Sequence, residues 1–242
     1  MSQANKPGGP RIVRRSKPLE RRKWSWSDFL PKELFNTFRT YFGLGRAAPP
    51  EPIDSVPALG RFLDTRSSLI AQTSLYGYLR TRAGMRYPEL FDDDEFLVGI
   101  NIAKWHIWLD CLGDLSVYSG SRIAQLAPRE TERIATMVSV LVDEIIVAKG
   151  APEEAGGEFL PHADQVRDRI TRTDWLSVGP AEDAFSASPR SVVKWSPVMD
   201  ELKQLDEEIV LNSVRFRWQE IRRYFAAQLR AEALMASLPP RP

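Results

Sequence analysis

Apolar residues recur at steps of three and four along most of this chain, the spacing of one face of a helix. Ser27 and Asp28 suit an N-cap, and Phe29, Leu30, Leu34, Phe35, Phe38, Tyr41 and Phe42 follow at that spacing until Gly43 and Gly45 break it. The interval from Ala47 to Pro57 holds four prolines and reads as a stiff linker. A second helix is predicted from about Val56 to Ala83. Its stripe is Leu59, Phe62, Leu63, Leu69, Ile70, Thr73, Tyr76 and Leu79, and Gly84 is its stop.

Asp92, Asp93 and Asp94 then stand where the dipole of a third helix favours negative charge. Phe96, Ile100, Ala103, Ile107, Cys111, Leu115 and Tyr118 carry that helix to a predicted end near Gly120 or some residues beyond. Pro128 suits the first turn of a fourth helix that closes at Gly150. The β-branched run Met137–Val142 would also suit a strand, but Ile134, Val138, Leu141, Ile145 and Ala148 keep helical spacing. Residues 151–161 read as loop, about 162–175 as a shorter helix, and the stretch to Ser196 as irregular. In the last element Ser196 reads as the cap and Pro197 as the first turn, with no break before Pro239. Val198, Leu202, Leu205, Ile209, Asn212 and Phe216 step along it like a coiled-coil seam, and Ile221, Phe225, Leu229 and Leu234 continue on a shifted face. Such a helix would reach roughly 60 Å, long enough to project from the body or pack on a partner subunit.

The pattern predicts an all-α protein: an antiparallel bundle of four to six helices with a long C-terminal helix and a disordered basic N-terminal arm. Its divisions are an arm over 1–46, a linker over 47–57 and a bundle over 58–238. With 242 residues, 43% hydrophobic and 27% charged, the chain has the composition of an ordinary globular domain. Charge changes that picture. The formal net charge is +1, yet residues 1–46 hold eleven Lys and Arg against Glu20, Asp28 and Glu33. The arm therefore carries +8 and the body −7. A cationic arm calls for an anionic partner, a phospholipid surface or nucleic acid, unless it folds back on its own acidic body.

Arg14, Arg15, Arg21, Arg22 and Lys23 precede Trp24, Trp26, Phe29, Phe35 and Phe38. Cations for headgroups beside rings for the acyl boundary make an interfacial anchor. The same groups would serve RNA through phosphate contact and stacking. Arg14 and Arg15 resemble a twin-arginine signal, but no apolar segment follows. Cys111 is the single cysteine, which fits a reducing compartment. No run reaches the length of a membrane span. The reading is a cytoplasmic protein held peripherally at the inner membrane.

Chemistry is harder to find. His106 has Asp110 one turn on and Asp114 a turn beyond, so a carboxylate could orient its imidazole; a half-buried His–Asp pair is the plainer alternative. These three are weak catalytic candidates. Neither His106 nor His162 has an acid three positions before it, so the paired Glu-x-x-His of di-iron bundles is missing and no metal or cofactor is expected. Ser116 lies in Gly113-Asp114-Leu115-Ser116, inside a helical pattern and not in a G-x-S-x-G elbow. The pairs Asp110/Asp114 and Asp164/Asp168 look like magnesium-diphosphate aspartates, but carboxylates four apart are common on solvated helix faces.

Longer blocks carry a likeness of another kind. Ser74 to Tyr87, Phe91 to Phe96, Ile100 to Trp105, Val193 to Lys203, Leu205 to Ile209 and Asn212 to Trp218 together resemble a family of alphaproteobacterial helical proteins of unsettled function, often labelled "esterase". The resemblance spans roughly Leu59 to Phe225 and omits the arm. It implies a hydrolase, but with no nucleophile motif on which to place the activity. Tyr78, Arg82, Arg86, Trp105, Lys194, Trp195, Arg215 and Trp218 from these blocks would form a partner-binding groove if their helices pack together, or else an internal salt-bridged layer. The expected function is a non-enzymatic scaffold or adaptor, peripheral to a membrane through its arm. An esterase-like hydrolase and an RNA-binding protein are the alternatives. Expected partners are a protein, an anionic membrane surface, less readily nucleic acid, and a second copy through the C-terminal helix.

Overall fold

The computed structural model describes residues 51–179 and 183–238. The arm, with all its anchor candidates from Arg14 to Phe38, lies outside these residues. The described part is all-α. Its helices are α1 (Val56–Ala83), α2 (Asp94–Leu126), α3 (Thr131–Lys149), α4 (Phe159–Thr171), α5 (Ala187–Trp195), α6 (Asp200–Gln228) and α7 (Ala231–Ala236). Short 3-10 turns link several of them.

Local signals set most of these boundaries. Pro57 stands in the first turn of α1, and Gly84 ends the helix with φ 56, a conformation that favours glycine. Asp93 caps α2: its carboxylate accepts from the Glu95 and Phe96 amides at 2.9 and 3.2 Å. Asp94 and Glu95 add first-turn charge of the favourable sign. The run Met137–Val142 is helical within α3, and Gly150 closes it with φ 71.

The centre of the bundle is α2, which packs against α1, α3, α4 and α5. Every residue from Cys111 to Ser121 is buried, so the helix presents no polar face to water over three turns. Leu59, Leu63, Leu109, Leu112 and Leu115 have no exposed surface, and each such side chain contributes roughly 1.5–3 kcal/mol by leaving water. The helix continues past Gly120 to Leu126. Gly120 serves packing there, because a Cβ would overlap the Trp175 ring and press on Val138.

Three expectations are corrected. The stretch before Ser196 is not irregular, since residues 187–195 form α5. Ser196 does not open the last helix; its Oγ donates to the Val192 carbonyl at 2.6 Å, closing α5, and α6 begins at Asp200. Nor is the last helix continuous to Pro239. Leu229 is extended (φ −63, ψ 127) and pairs with Ile53: the Ile53 amide donates to Gln228 and the Arg230 amide to Ile53, both at 3.0 Å. This leaves α6 with 29 residues, about 43 Å long. Ile53, inside the segment read as linker, is 2% exposed and belongs to the core.

The seam read along α6 is not the face that meets the bundle. Val210, Val214, Trp218, Ile221 and Phe225 face the bundle, whereas Leu205, Ile209 and Phe216 face outward. The row with coiled-coil spacing is the outward one.

Gly120→Ala should lower the free energy of urea unfolding by about 1–3 kcal/mol through overpacking, despite the better helix propensity of alanine. Gly157→Ala, where a Cβ meets nothing within 4 Å, should leave the unfolding midpoint in place.

Candidate functional site

Both histidines of the chain meet in one buried network. His106 on α2 is fully buried, and its Nδ1 lies 2.8 Å from Nδ1 of His162 on α4. The two rings are 15° from parallel with centroids 5.1 Å apart, so they join edge to edge. Nε2 of His106 faces the Ala155 carbonyl at 3.2 Å, and Nε2 of His162 faces the Asp110 carboxylate at 3.2 Å. Trp195, the last residue of α5, stacks on His106 with centroids 3.8 Å apart and an 11° tilt.

Hydrogen-bond logic fixes the protons. A carbonyl only accepts, so Nε2 of His106 carries hydrogen and its Nδ1 accepts. Nδ1 of His162 must then donate, and its Nε2 faces the Asp110 carboxylate. The relay ends on a backbone carbonyl at one side and a carboxylate at the other. All four ring nitrogens are engaged. Two nitrogens 2.8 Å apart are hydrogen-bonded; a tetrahedral ion held by both at about 2.0–2.1 Å would force them further apart. Among the described residues, no cluster of three or more His, Cys, Asp or Glu is placed to hold a metal. Burial and the neighbouring His162 hold His106 down at about 4, from 6.5.

The sequence pairing of His106 with Asp110 is thus corrected: Asp110 partners His162, 52 residues away in the chain. Asp114 has a different task. It is fully buried, and its Oδ1 accepts from Arg169 of α4 at 2.6 Å. Its Oδ2 accepts from the Ser188 amide at 2.8 Å and the Ser188 hydroxyl at 2.6 Å, while the Ala187 amide approaches Oδ1 at 3.3 Å. Asp114 therefore caps α5 from another helix, where Ser186, the local N-cap residue, makes no side-chain cap. The Trp218 indole of α6 donates to the same Ser188 hydroxyl at 2.9 Å. Burial pushes the Asp114 carboxyl up, against the pull of Arg169 and Ser188. Burial likewise pushes the Cys111 thiol well up, which keeps it protonated and unreactive.

The eight residues expected to line one groove are dispersed. Tyr78 donates to Asp206 at 3.1 Å with Arg82 beside it at 3.5 Å, a tie between α1 and α6. Burial, then Asp206, lifts the Tyr78 phenol to about 12. Arg86 is exposed and pairs with Glu89. Trp105 and Lys104 both donate to Glu154 at 3.0 and 2.7 Å. Lys194 sits over the Trp195 ring at 4.6 Å. Trp218 is 1% exposed, stacked on Phe185 in the core. Arg215 lies on the outer face of α6. Only Lys194 with Trp195, and Tyr78 with Arg82, are neighbours. Ala155, Arg169 and Ser188 were missed, and His162 was weighed without being joined to His106. A carbonyl partner leaves no trace in sequence, but the two histidines of the chain both fall on predicted helices and could have been considered as a pair.

A shallow cleft of about 120 Å³ lies at the other end of α6, lined by Glu51, Ile53, Arg61, Phe62, Arg66 and Tyr224 among others. The Arg66 guanidinium rests over the Tyr224 ring at 4.3 Å, and the Tyr224 hydroxyl takes the Glu51 amide at 3.2 Å. No described helix is long and apolar enough to cross a membrane. The chain matches no protein-family model, no curated protein and no solved structure.

Two measurements probe the networks. Asp114→Ala should cost about 3–5 kcal/mol of unfolding free energy because it strands Arg169, and the Asp114→Ala/Arg169→Ala double variant should lose less than the sum of its singles. Folded His106 stays neutral down to about pH 4, whereas the unfolded chain protonates near 6.5. Unfolding takes up a proton between these values, so stability from this group is complete above pH 6.5 and fades as pH falls toward 4. The urea midpoint of the native protein should fall more steeply over that window than that of His106→Phe.

Proposed function

We propose that this protein is a non-enzymatic helical scaffold that attaches peripherally to an anionic membrane surface through its basic, ring-bearing N-terminal segment and works through protein contacts. The observation that carries the reading is the division of charge, +8 over residues 1–46 against −7 over the rest. Electrostatic attraction then acts on the arm while the body is repelled, which orients the molecule on a negative surface. Arg21, Arg22 and Lys23 directly precede Trp24 and Trp26, the order of a headgroup contact followed by interfacial rings.

A scaffold also suits the use made of the titratable interior groups, since His106, His162, Asp110 and Asp114 are consumed in ties between helices.

Flotation of the full chain with phosphatidylserine-containing vesicles tests the reading. The native protein should rise with the vesicles at low salt and progressively less as salt is added. Reversing Arg21, Arg22 and Lys23 to Glu should lower the partition coefficient by more than about 100-fold, at about 1 kcal/mol for each cation lost and as much again for each like charge gained. Equal recovery of both proteins in the vesicle-free fraction removes the anchor.

A further inference from the structure

The outer face of α6 carries Leu205, Ile209 and Phe216 at 75%, 72% and 71% exposure. With partly buried Leu202 and exposed Asn212 they step 3-4-3-4, the seam of a two-stranded coiled coil. At 100° per residue this row lies almost opposite Val210, Val214, Trp218, Ile221 and Phe225, which the bundle buries. A helix serving one core has a polar outer face. This one has two apolar rows.

We propose that the outer row is the self-association surface of the protein, and that its occupant is α6 of a second copy, packed antiparallel. Charge decides both occupant and direction. One residue before Leu202, Ile209 and Phe216 stand Glu201, Glu208 and Arg215. An antiparallel two-fold brings that column against itself in reverse, setting Glu208 against the partner's Arg215. A parallel pair would instead set Glu201 against the partner's Asp206. Glu208 and Arg215 are both exposed, and Arg215 already reaches Asn212 of the same row at 3.4 Å.

The same register layers Leu205 on the partner's Phe216 and Ile209 beside the partner's Asn212, with each contact repeated across the dyad. The two Asn212 side chains fall on either side of that axis. The association depends on the body alone and not on the membrane reading above.

Sedimentation equilibrium of the full chain over micromolar concentrations is the test. The native protein should approach twice 27.5 kDa. Ile209→Glu should raise the dissociation constant by about 100-fold or more, with the urea midpoint unchanged when both proteins are diluted to monomer, because Ile209 is 72% exposed in its own bundle. Glu208→Arg alone should raise it about tenfold, and adding Arg215→Glu to that chain should restore it, since each swapped pair meets again across the dyad. A native protein that stays monomeric overturns the proposal, as does a dimer indifferent to Ile209→Glu. Failure of the charge swap to restore the dimer overturns the antiparallel register. A monomer whose urea midpoint drops with Ile209→Glu would mean that the row is covered by the chain's own N-terminal residues, which also overturns it.

Discussion

Asp114 places a carboxylate in the driest part of the bundle, on a helix with no face in water over three turns. An isolated charge there would cost several kcal/mol, so the surrounding helices can sit only where they supply compensation. Arg169 brings α4, the Ala187 and Ser188 amides bring the first turn of α5, and Trp218 reaches the same Ser188 hydroxyl from α6. Four helices are thereby fixed to one carboxylate. The apolar core would accept several sliding arrangements at similar energy, because burial has no direction. The ion pair and its hydrogen bonds do have direction, and they select one arrangement.

The second network works by the same logic at the other end of α5. Trp195 closes that helix and stacks on His106, while His162 reaches from α4 to the same imidazole. The short α5 is therefore held at both ends by side chains of α2, one carboxylate and one ring. A nine-residue helix is too short to be stable by its own hydrogen bonds. Its existence is a property of the tertiary contacts.

That is why α5 escaped the sequence reading. Its cap lies 73 residues away, and its nine residues are too few for a helical period to stand out. By contrast α1 and α3 were legible nearly to the residue, because Pro57, Gly84, Pro128 and Gly150 act on their own neighbours. The break at Leu229 was invisible for a related reason: an extended residue there is stabilised by Ile53, from the opposite end of the fold. The site fared similarly. His106 and Asp110 were found from spacing, but a helical i, i+4 relation places two groups near each other without making them partners. His162 offered Asp110 a better geometry from across the interface.

The two apolar rows of α6 show what spacing does and does not report. Heptad spacing does not report which side of a helix meets the core; it reports only that a row is apolar. On α6 the row with the cleaner heptad is exposed, and the row that meets the core is set by large rings, Trp218 and Phe225, whose partners Phe185 and Phe62 lie elsewhere in the chain. A helix whose only task was to cover the bundle would have no use for the outer leucine, isoleucine and phenylalanine, each of which exposes the chain to non-specific association. Their presence in register, with a charge column beside them whose sign reverses midway, is what the proposed self-association would use. A surface shaped for the bundle alone would need neither feature.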